Sequence, residues 1–362
     1  MRSDLPVVIV AAIDRCRHPA LVFDLARIEA NLRSIADAAR ACQMTALFAA
    51  KSFPHRSVRE LAAKVIDGFD AASDAEVAEL PPAKVVSLSD PSHRGRAAGA
   101  KAERVIISCE TADQVRAAPA HADIAIRLSS SIVGRDPAVG AVQEGSGHRR
   151  SRFGLDVDPE RRRAEIQAMW AAAAGRTVGM HIHHGPVTAT NAERFAATAR
   201  VALDAARDAG REPAFINVGG AWHGIIDIPG ACRELRDAIP DTIELVIEPG
   251  RAATHEAGFA CGHVVAARDL DDRALRVTDI SRICHLRWSH LELVCPAPHP
   301  GTGAPMLLVG PTCFEEDVLG EWSVDLSRFD VGARVVMRNV SGYAVAWNTG
   351  FAGIPPADVV VV

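Results

Sequence analysis

The chain is poor in lysine and nearly devoid of tyrosine. Lysine and arginine total 40 in 362 residues, yet only Lys51, Lys64, Lys84 and Lys101 are lysines, so a lysine nucleophile has few candidates. The eight cysteines (Cys16, Cys42, Cys109, Cys232, Cys261, Cys284, Cys295 and Cys313) include no CxxC pair and no regular spacing. That argues against a structural zinc site or a disulfide framework, and fits buried thiols in a reducing compartment. No basic stripe accompanies the formal charge of −5, which argues against a nucleic-acid groove. No apolar run approaches membrane-spanning length. The apolar stretch at 5–13 is short and lacks a small-residue cleavage pattern, so it does not read as a secretory leader, and a cytoplasmic protein is expected. No GxGxxG follows a strand candidate, which leaves a dinucleotide site without support.

What the chain has in quantity is apolar surface, 48% of its residues, and a length beyond the usual single domain. From about residue 45 to 250, short apolar runs alternate with alanine-rich stretches of helical periodicity. The runs at 45–50, 68–72, 84–88, 104–107, 124–128, 178–183, 215–218 and 245–247 make eight strands, the number that closes a (β/α)8 TIM-like barrel. Helices are expected at 25–41, 74–80, 158–174 and 191–210. Beyond residue 255, the runs at 262–267, 275–280, 305–309 and 333–340 alternate with turns, which indicates a C-terminal all-β domain. The expected division is a barrel over 25–258, with 1–24 and 259–362 forming the β domain.

In such a barrel, chemistry sits at the carboxyl-terminal tips of the strands. Those tips carry Lys51, Asp70, Arg127, His183, Gly219-Gly220 and Glu248-Pro249-Gly250-Arg251. A lysine in a dry barrel mouth gives up its proton more readily and can condense with a carbonyl. A carboxylate such as Glu248 beside a pyridine nitrogen keeps the ring an electron sink. Arginine's fork suits phosphate, and glycine backbone N–H groups can approach one closely. Each feature has a plainer reading: a solvated lysine, a surface ion pair, an ordinary turn. His181 and His183 share a strand face, so a metal site is a rival, but no second ligand cluster accompanies them. His181 and His184 read as structural, and no metal is expected.

Taken in order, the segments resemble the ornithine/diaminopimelate decarboxylase family of pyridoxal-phosphate enzymes. They are the Lys51 strand, Gly68-Phe69-Asp70-Ala71-Ala72-Ser73, Ser151-Arg152-Phe153-Gly154, the histidine strand, Gly219-Gly220, Glu248 to Arg251, Gly310-Pro311-Thr312-Cys313 with Asp317, and Gly342-Tyr343. The resemblance spans almost the whole chain. It implies an alanine-racemase-like barrel with a β domain and pyridoxal 5'-phosphate held by Lys51 as a Schiff base. It also implies that His183 stacks on the ring, Glu248 pairs with its nitrogen, and Asp70 lies near the lysine. Gly219, Gly220, Arg251 and Tyr343 would bind the phosphate. Family members form head-to-tail homodimers, in which Cys313 would reach the other subunit's site and return a proton after carbon dioxide leaves. Arg152, Arg287, Phe314 and Asp317 are the implied substrate-binding positions. The expected partners are a small amino-acid substrate and a second copy, without membrane or nucleic acid.

Departures from the family pattern narrow the substrate. Pro186 stands where a serine usually supplies a phosphate contact, Ala221 replaces a third glycine, and Phe351-Ala352-Gly353 replaces phenylalanine-asparagine-glycine. Phe314 replaces the acid that helps bind a distal amine in relatives, so an ordinary basic diamino acid is not expected. Arg287, eight residues after Asp279, has the spacing of the diaminopimelate-type arginine that holds a distal carboxylate, although Leu291 replaces the tyrosine expected four residues later. The rival readings are a racemase on the same fold, against which Glu248 argues, and a non-catalytic cofactor-binding homologue.

Overall fold

The computed structural model describes residues 5–92, 94–135, 151–183, 193–225 and 227–362. The chain divides into two compact units, one comprising Leu32–Lys51 and Arg59–Ala253, the other Met1–Asn31, Ser52–Val58 and Thr254–Val362.

The first strand, β1 (Ala20–Phe23), belongs to the second of these units. The next eight form the barrel: β2 (Met44–Ala49), β3 (Gly68–Ala71), β4 (Ala83–Leu88), β5 (Ala102–Cys109), β6 (Asp123–Leu128), β7 (Val178–Ile182), β8 (Phe215–Asn217) and β9 (Glu244–Ile247). All pair in parallel in chain order, and β9 closes on β2 through Met44 and Leu245. Every barrel strand expected from the sequence is present within a residue or two of its bounds, while the run expected at 262–267 is longer, Gly258–Asp269. Leu47, Val85, Ile106, Ala125, Phe215 and Val246 form one buried cluster, as inward-facing apolar residues of a packed barrel do. A Cβ on Gly179 would lie 2.5 Å from the Phe215 ring, so the glycine makes room for the largest side chain of that cluster.

Helices follow most strands, and their caps are written in the sequence. Asp158 accepts the Arg161 N–H ahead of the helix Pro159–Ala173, and Ser73 accepts the Glu76 N–H ahead of Asp74–Ala78. The alternation lapses once. Between β4 and β5 the described residues form no helix; Asp90 instead accepts the N–H groups of Ser92 and Gly95 and folds that connection as a loop.

The second unit is built on a sheet in the order β12 (Glu292–Cys295), β15 (Arg334–Arg338), β10 (Gly258–Asp269), β11 (Ala274–Thr278), β13 (Ala304–Val309) and β14 (Val318–Val324). β1 pairs antiparallel with β10 and parallel with β16 (Asp358–Val361). The apolar stretch near the start of the chain becomes the helix Val7–Arg15, which buries Ile9, Ala12 and Ile13 against Val22, Phe259, Cys261 and Val336. The unit is therefore mostly rather than wholly β.

Candidate active site

At the carboxyl-terminal rim of the barrel, Lys51 lies in a short helical turn, Ala50–Ser52, directly after β2. Its Nζ donates to Asp70 Oδ2 at 2.6 Å. Asp70, on the neighbouring β3, is fully buried, while 41% of the lysine side chain is exposed. Asp70 thus lies within hydrogen-bonding reach of the lysine amine.

On the other side of β2, Glu248 follows β9 and is buried. Asn217, the last residue of β8, donates its Nδ2 to Glu248 Oε1 at 2.6 Å, and its Oδ1 accepts the Gly219 N–H at 2.8 Å. One buried amide therefore fixes both the carboxylate and the glycine turn. Sequence reasoning missed Asn217; a lone polar residue ending an apolar run was the available signal.

The turn itself lies close against His183. Gly219 has φ +71°, and a Cβ there would come within 2.8 Å of the His183 ring; one on Gly220 would meet the Glu248 carbonyl at 3.2 Å. Neither position has room to spare for a side chain. Ala221, replacing the third glycine, keeps the glycine-like backbone at φ +73°. Arg251 donates its Nη1 to His223 Nε2 at 3.2 Å.

Electrostatics separate the acids and the histidines. Burial, reinforced by the charge of Asp70, pushes Glu248 up to about 8, against the pull of Lys51, the Asn217 hydrogen bond and Arg127. Glu76 is also raised, by burial first. His181 is buried, 2.6 Å from Ser108 Oγ, and burial holds it well below the usual histidine range, with Arg127, His183 and Lys51 adding to the effect; it is a neutral structural ring. His183 is exposed. His184 and Pro186 lie outside the described residues.

Ser151-Arg152-Phe153-Gly154 is pinned to the end of β6. Gly154 donates its N–H to Glu110, and the guanidinium groups of Arg127 and Arg152 lie over the Phe153 ring at 4.9 and 4.0 Å.

The remaining expected site residues belong to the second unit. Cys313 and Phe314 are exposed on a loop between β13 and β14. Asp317 is buried, and its carboxylate accepts from Ser281 Oγ, the Arg282 N–H, and the Thr312 hydroxyl and N–H. With its lone pairs so engaged, Asp317 shapes the Cys313 loop. Tyr343 follows Gly342, whose Cα abuts the Ser52 carbonyl so closely that a Cβ would sit 2.6 Å away. Arg287 is exposed and lies 4.7 Å over the Trp347 ring.

The family model for the pyridoxal-binding domain of pyridoxal-dependent decarboxylases matches residues 25–255. This chain belongs to that family. The decarboxylase also shares its fold with solved structures across nearly its full length. The arginine decarboxylase of Paramecium bursaria Chlorella virus, bound to agmatine, is 18% identical with a TM-score of 0.77, covering 100% of both chains. The lysine/ornithine decarboxylase of Vibrio vulnificus, with cadaverine, is 18% identical at a TM-score of 0.77, covering 98% of this chain and 97% of that one. The diaminopimelate decarboxylase of Helicobacter pylori, complexed with L-lysine, is 16% identical at 0.76, covering 98% and 93%.

The family's cofactor is pyridoxal phosphate, and the decarboxylase has residues to suit it. Glu248 is a buried carboxylate whose charge a protonated ring nitrogen would answer, and the Gly219-Gly220 backbone presents its face where a side chain would intrude.

Proposed function

We propose that this enzyme removes the α-carboxylate of an amino acid that is not a simple diamino acid, using the constellation around Lys51. The observation that carries the reading is the buried Asn217–Glu248 pair on the same barrel rim as the Lys51–Asp70 pair. Lys51 would hold the cofactor covalently, with Asp70 orienting its amine. Glu248, aimed by Asn217, would accept the ring N–H. His183 would lie against the ring face, and Gly219, Gly220 and Arg251 would bind the phosphate, a role the family resemblance also gives Tyr343. The bound cofactor supplies an electron sink for the carbanion left when carbon dioxide departs. Cys313 would return a proton to the α-carbon, and Arg152 would line the substrate's path.

Phe314 supports the substrate half of the reading. An apolar ring replaces the anion that a distal ammonium would need, and Arg287 has the spacing of an arginine that holds a distal carboxylate in diaminopimelate-type relatives. A substrate ending in an acid follows. A head-to-tail pair of chains, each lending Cys313 to the other, belongs to the same proposal. The racemase alternative is not favoured, because Glu248 supports a strong electron sink that racemisation avoids.

The test is mass spectrometry of the enzyme, supplied with pyridoxal phosphate, against acidic, basic and apolar amino acids of both configurations. A product lighter by carbon dioxide, absent with Lys51→Ala, is expected from an acidic substrate. Preference for ornithine or lysine would overturn the substrate reading, and turnover by Lys51→Ala would overturn the mechanism.

A further inference from the structure

Two cations share one aromatic ring on the barrel. The Arg127 guanidinium lies 4.9 Å from the centroid of Phe153, and that of Arg152 lies 4.0 Å from it. Among the described residues neither guanidinium has an ion pair or a hydrogen bond, and the Nε of Arg127 is buried without a partner. By contrast, Arg104 is answered by Asp123 and Glu244, and Arg176 donates to backbone carbonyls. A ring face meets part of a cation's demand. Two like charges on one ring also repel, and the ring holds no anion to offset that.

The ring is held rigidly. The Leu155 N–H donates to the Arg127 carbonyl at 2.9 Å and the Ser129 N–H to the Leu155 carbonyl at 3.2 Å, which ties this segment alongside the end of β6. Gly154, at φ +76°, passes so close that a Cβ would sit 2.3 Å from the Leu128 carbonyl carbon. The Phe153 N–H donates to Ser151 Oγ at 3.2 Å, and the Ser151 N–H donates to Ser131 Oγ at 2.8 Å. A ring fixed in this way, with a guanidinium already laid on it by each arginine, loses little freedom on taking a ligand.

The position of the pair within the barrel connects it to the chemistry. Arg127 shares a face of β6 with Ala125, a member of the buried inner cluster, and its register partner on β7 is His181. Its charge pulls both Glu248 and His181 downward. The pair therefore stands on the rim that carries Lys51 and Glu248, and Arg127, Arg152 and Phe153 all belong to the barrel unit.

We propose that Arg127 and Arg152, laid on Phe153, bind a carboxylate of the substrate, and that this is the distal acid, the one the reaction leaves in place. A guanidinium fork matches a carboxylate through paired hydrogen bonds, and the bound charge relieves the repulsion between the two arginines. The α-carboxylate does not suit this position. It departs as neutral carbon dioxide, so cations gripping it would stabilise the ground state more than the transition state and slow the step. A carboxylate that keeps its charge throughout orients the substrate without that penalty. The anion site stands on the geometry alone; only its assignment to the substrate rests on the decarboxylation reading above.

The test separates the two. Calorimetry on the cofactor-loaded enzyme would compare γ-aminobutyrate and δ-aminovalerate with butylamine and pentylamine, which lack the acid, and with putrescine and cadaverine, which end in a second cation. The two acids are expected to bind roughly tenfold or more tighter than either other set. Arg127→Met and Arg152→Met should each erase most of that advantage and Arg152→Lys should keep part of it, with the cofactor absorbance unchanged as a sign that the barrel is intact. Equal affinities across the three sets would overturn the proposal. So would an advantage that survives both methionine substitutions, since the acid would then be read elsewhere. Glutarate, which has no amine, separates the sources of the anion: if it binds through both arginines while the amino acids ignore them, the assignment to the substrate is overturned. Arginine-dependent binding with no carbon dioxide released from any amino acid leaves the anion site standing and removes the decarboxylation reading. An acidic amino acid that loses carbon dioxide with the same KM in wild type and both variants keeps that reading and sinks the proposal.

Discussion

Removing the cofactor should make the stability of this enzyme depend on pH in a direction that Glu248 dictates. An ordinary glutamate releases its proton near 4.5, whereas burial raises Glu248 to about 8. Between those values the folded apoprotein keeps a proton that the unfolded chain has given up. Stability therefore falls as pH rises, by about 1.4 kcal/mol per unit while the difference persists. From pH 6 to pH 8 the loss is about 2–3 kcal/mol, or roughly 3–4 °C in Tm for a chain of 362 residues. With pyridoxal phosphate bound, the ring nitrogen's proton answers the carboxylate and this fall should vanish. Calorimetric Tm values for apo and loaded enzyme, wild type and Glu248→Gln, would isolate the effect because all other titrating groups are shared. If apo wild type and apo Glu248→Gln lose the same Tm between pH 6 and pH 8, the account of Glu248 is wrong.

Asn217→Leu keeps the volume but strands both Glu248 and the Gly219 N–H; cofactor affinity, followed by absorbance titration, should fall roughly tenfold to a hundredfold. Ala221→Gly relieves a left-handed alanine and should raise stability by about 1 kcal/mol, seen as a Tm about one to two degrees higher. Gly310→Ala would drive a methyl group into the Asp317 carboxylate and should disorder the Cys313 loop, seen as faster proteolysis between Gly310 and Asp317 with the barrel's cofactor absorbance retained. Cys313→Ala should lower turnover by roughly a hundredfold or more on the substrate the enzyme accepts, if the thiol supplies the proton.

Much of the barrel was legible because its strands are short apolar runs ended by polar or glycine residues. Periodicity marks the run, and the first residue that breaks it marks the rim, which is how Lys51, Asp70 and Glu248 stood out. Asn217 breaks its run in the same way, at the end of a three-residue strand, but only the fold shows that its amide is buried against Glu248. Asp317 was visible as an acid, but only the fold shows that five donors converge on it. Lys51 carried a similar ambiguity, since its exposure depends on neighbours far away in sequence. The helix Val7–Arg15 was legible as apolar and illegible as structure, because a run of that length fits several roles until the sheet that receives it is known. The loop between β4 and β5 broke the alternation because a network of hydrogen bonds on Asp90 outweighed a generic βα expectation.

The pairing of β1 with β16 has a consequence for how the chain assembles as it is made. β1 leaves the ribosome before any barrel strand, and its parallel neighbour follows every other strand described. The barrel strands are all available once residue 247 has emerged, but the sheet that holds β1 must wait about a hundred residues more. For that interval one edge of β1 has no native neighbour. A nascent-chain experiment stalled between those points would find the barrel protected from protease while β1 stays open to it, so the two units would gain their structure at different times from one continuous thread.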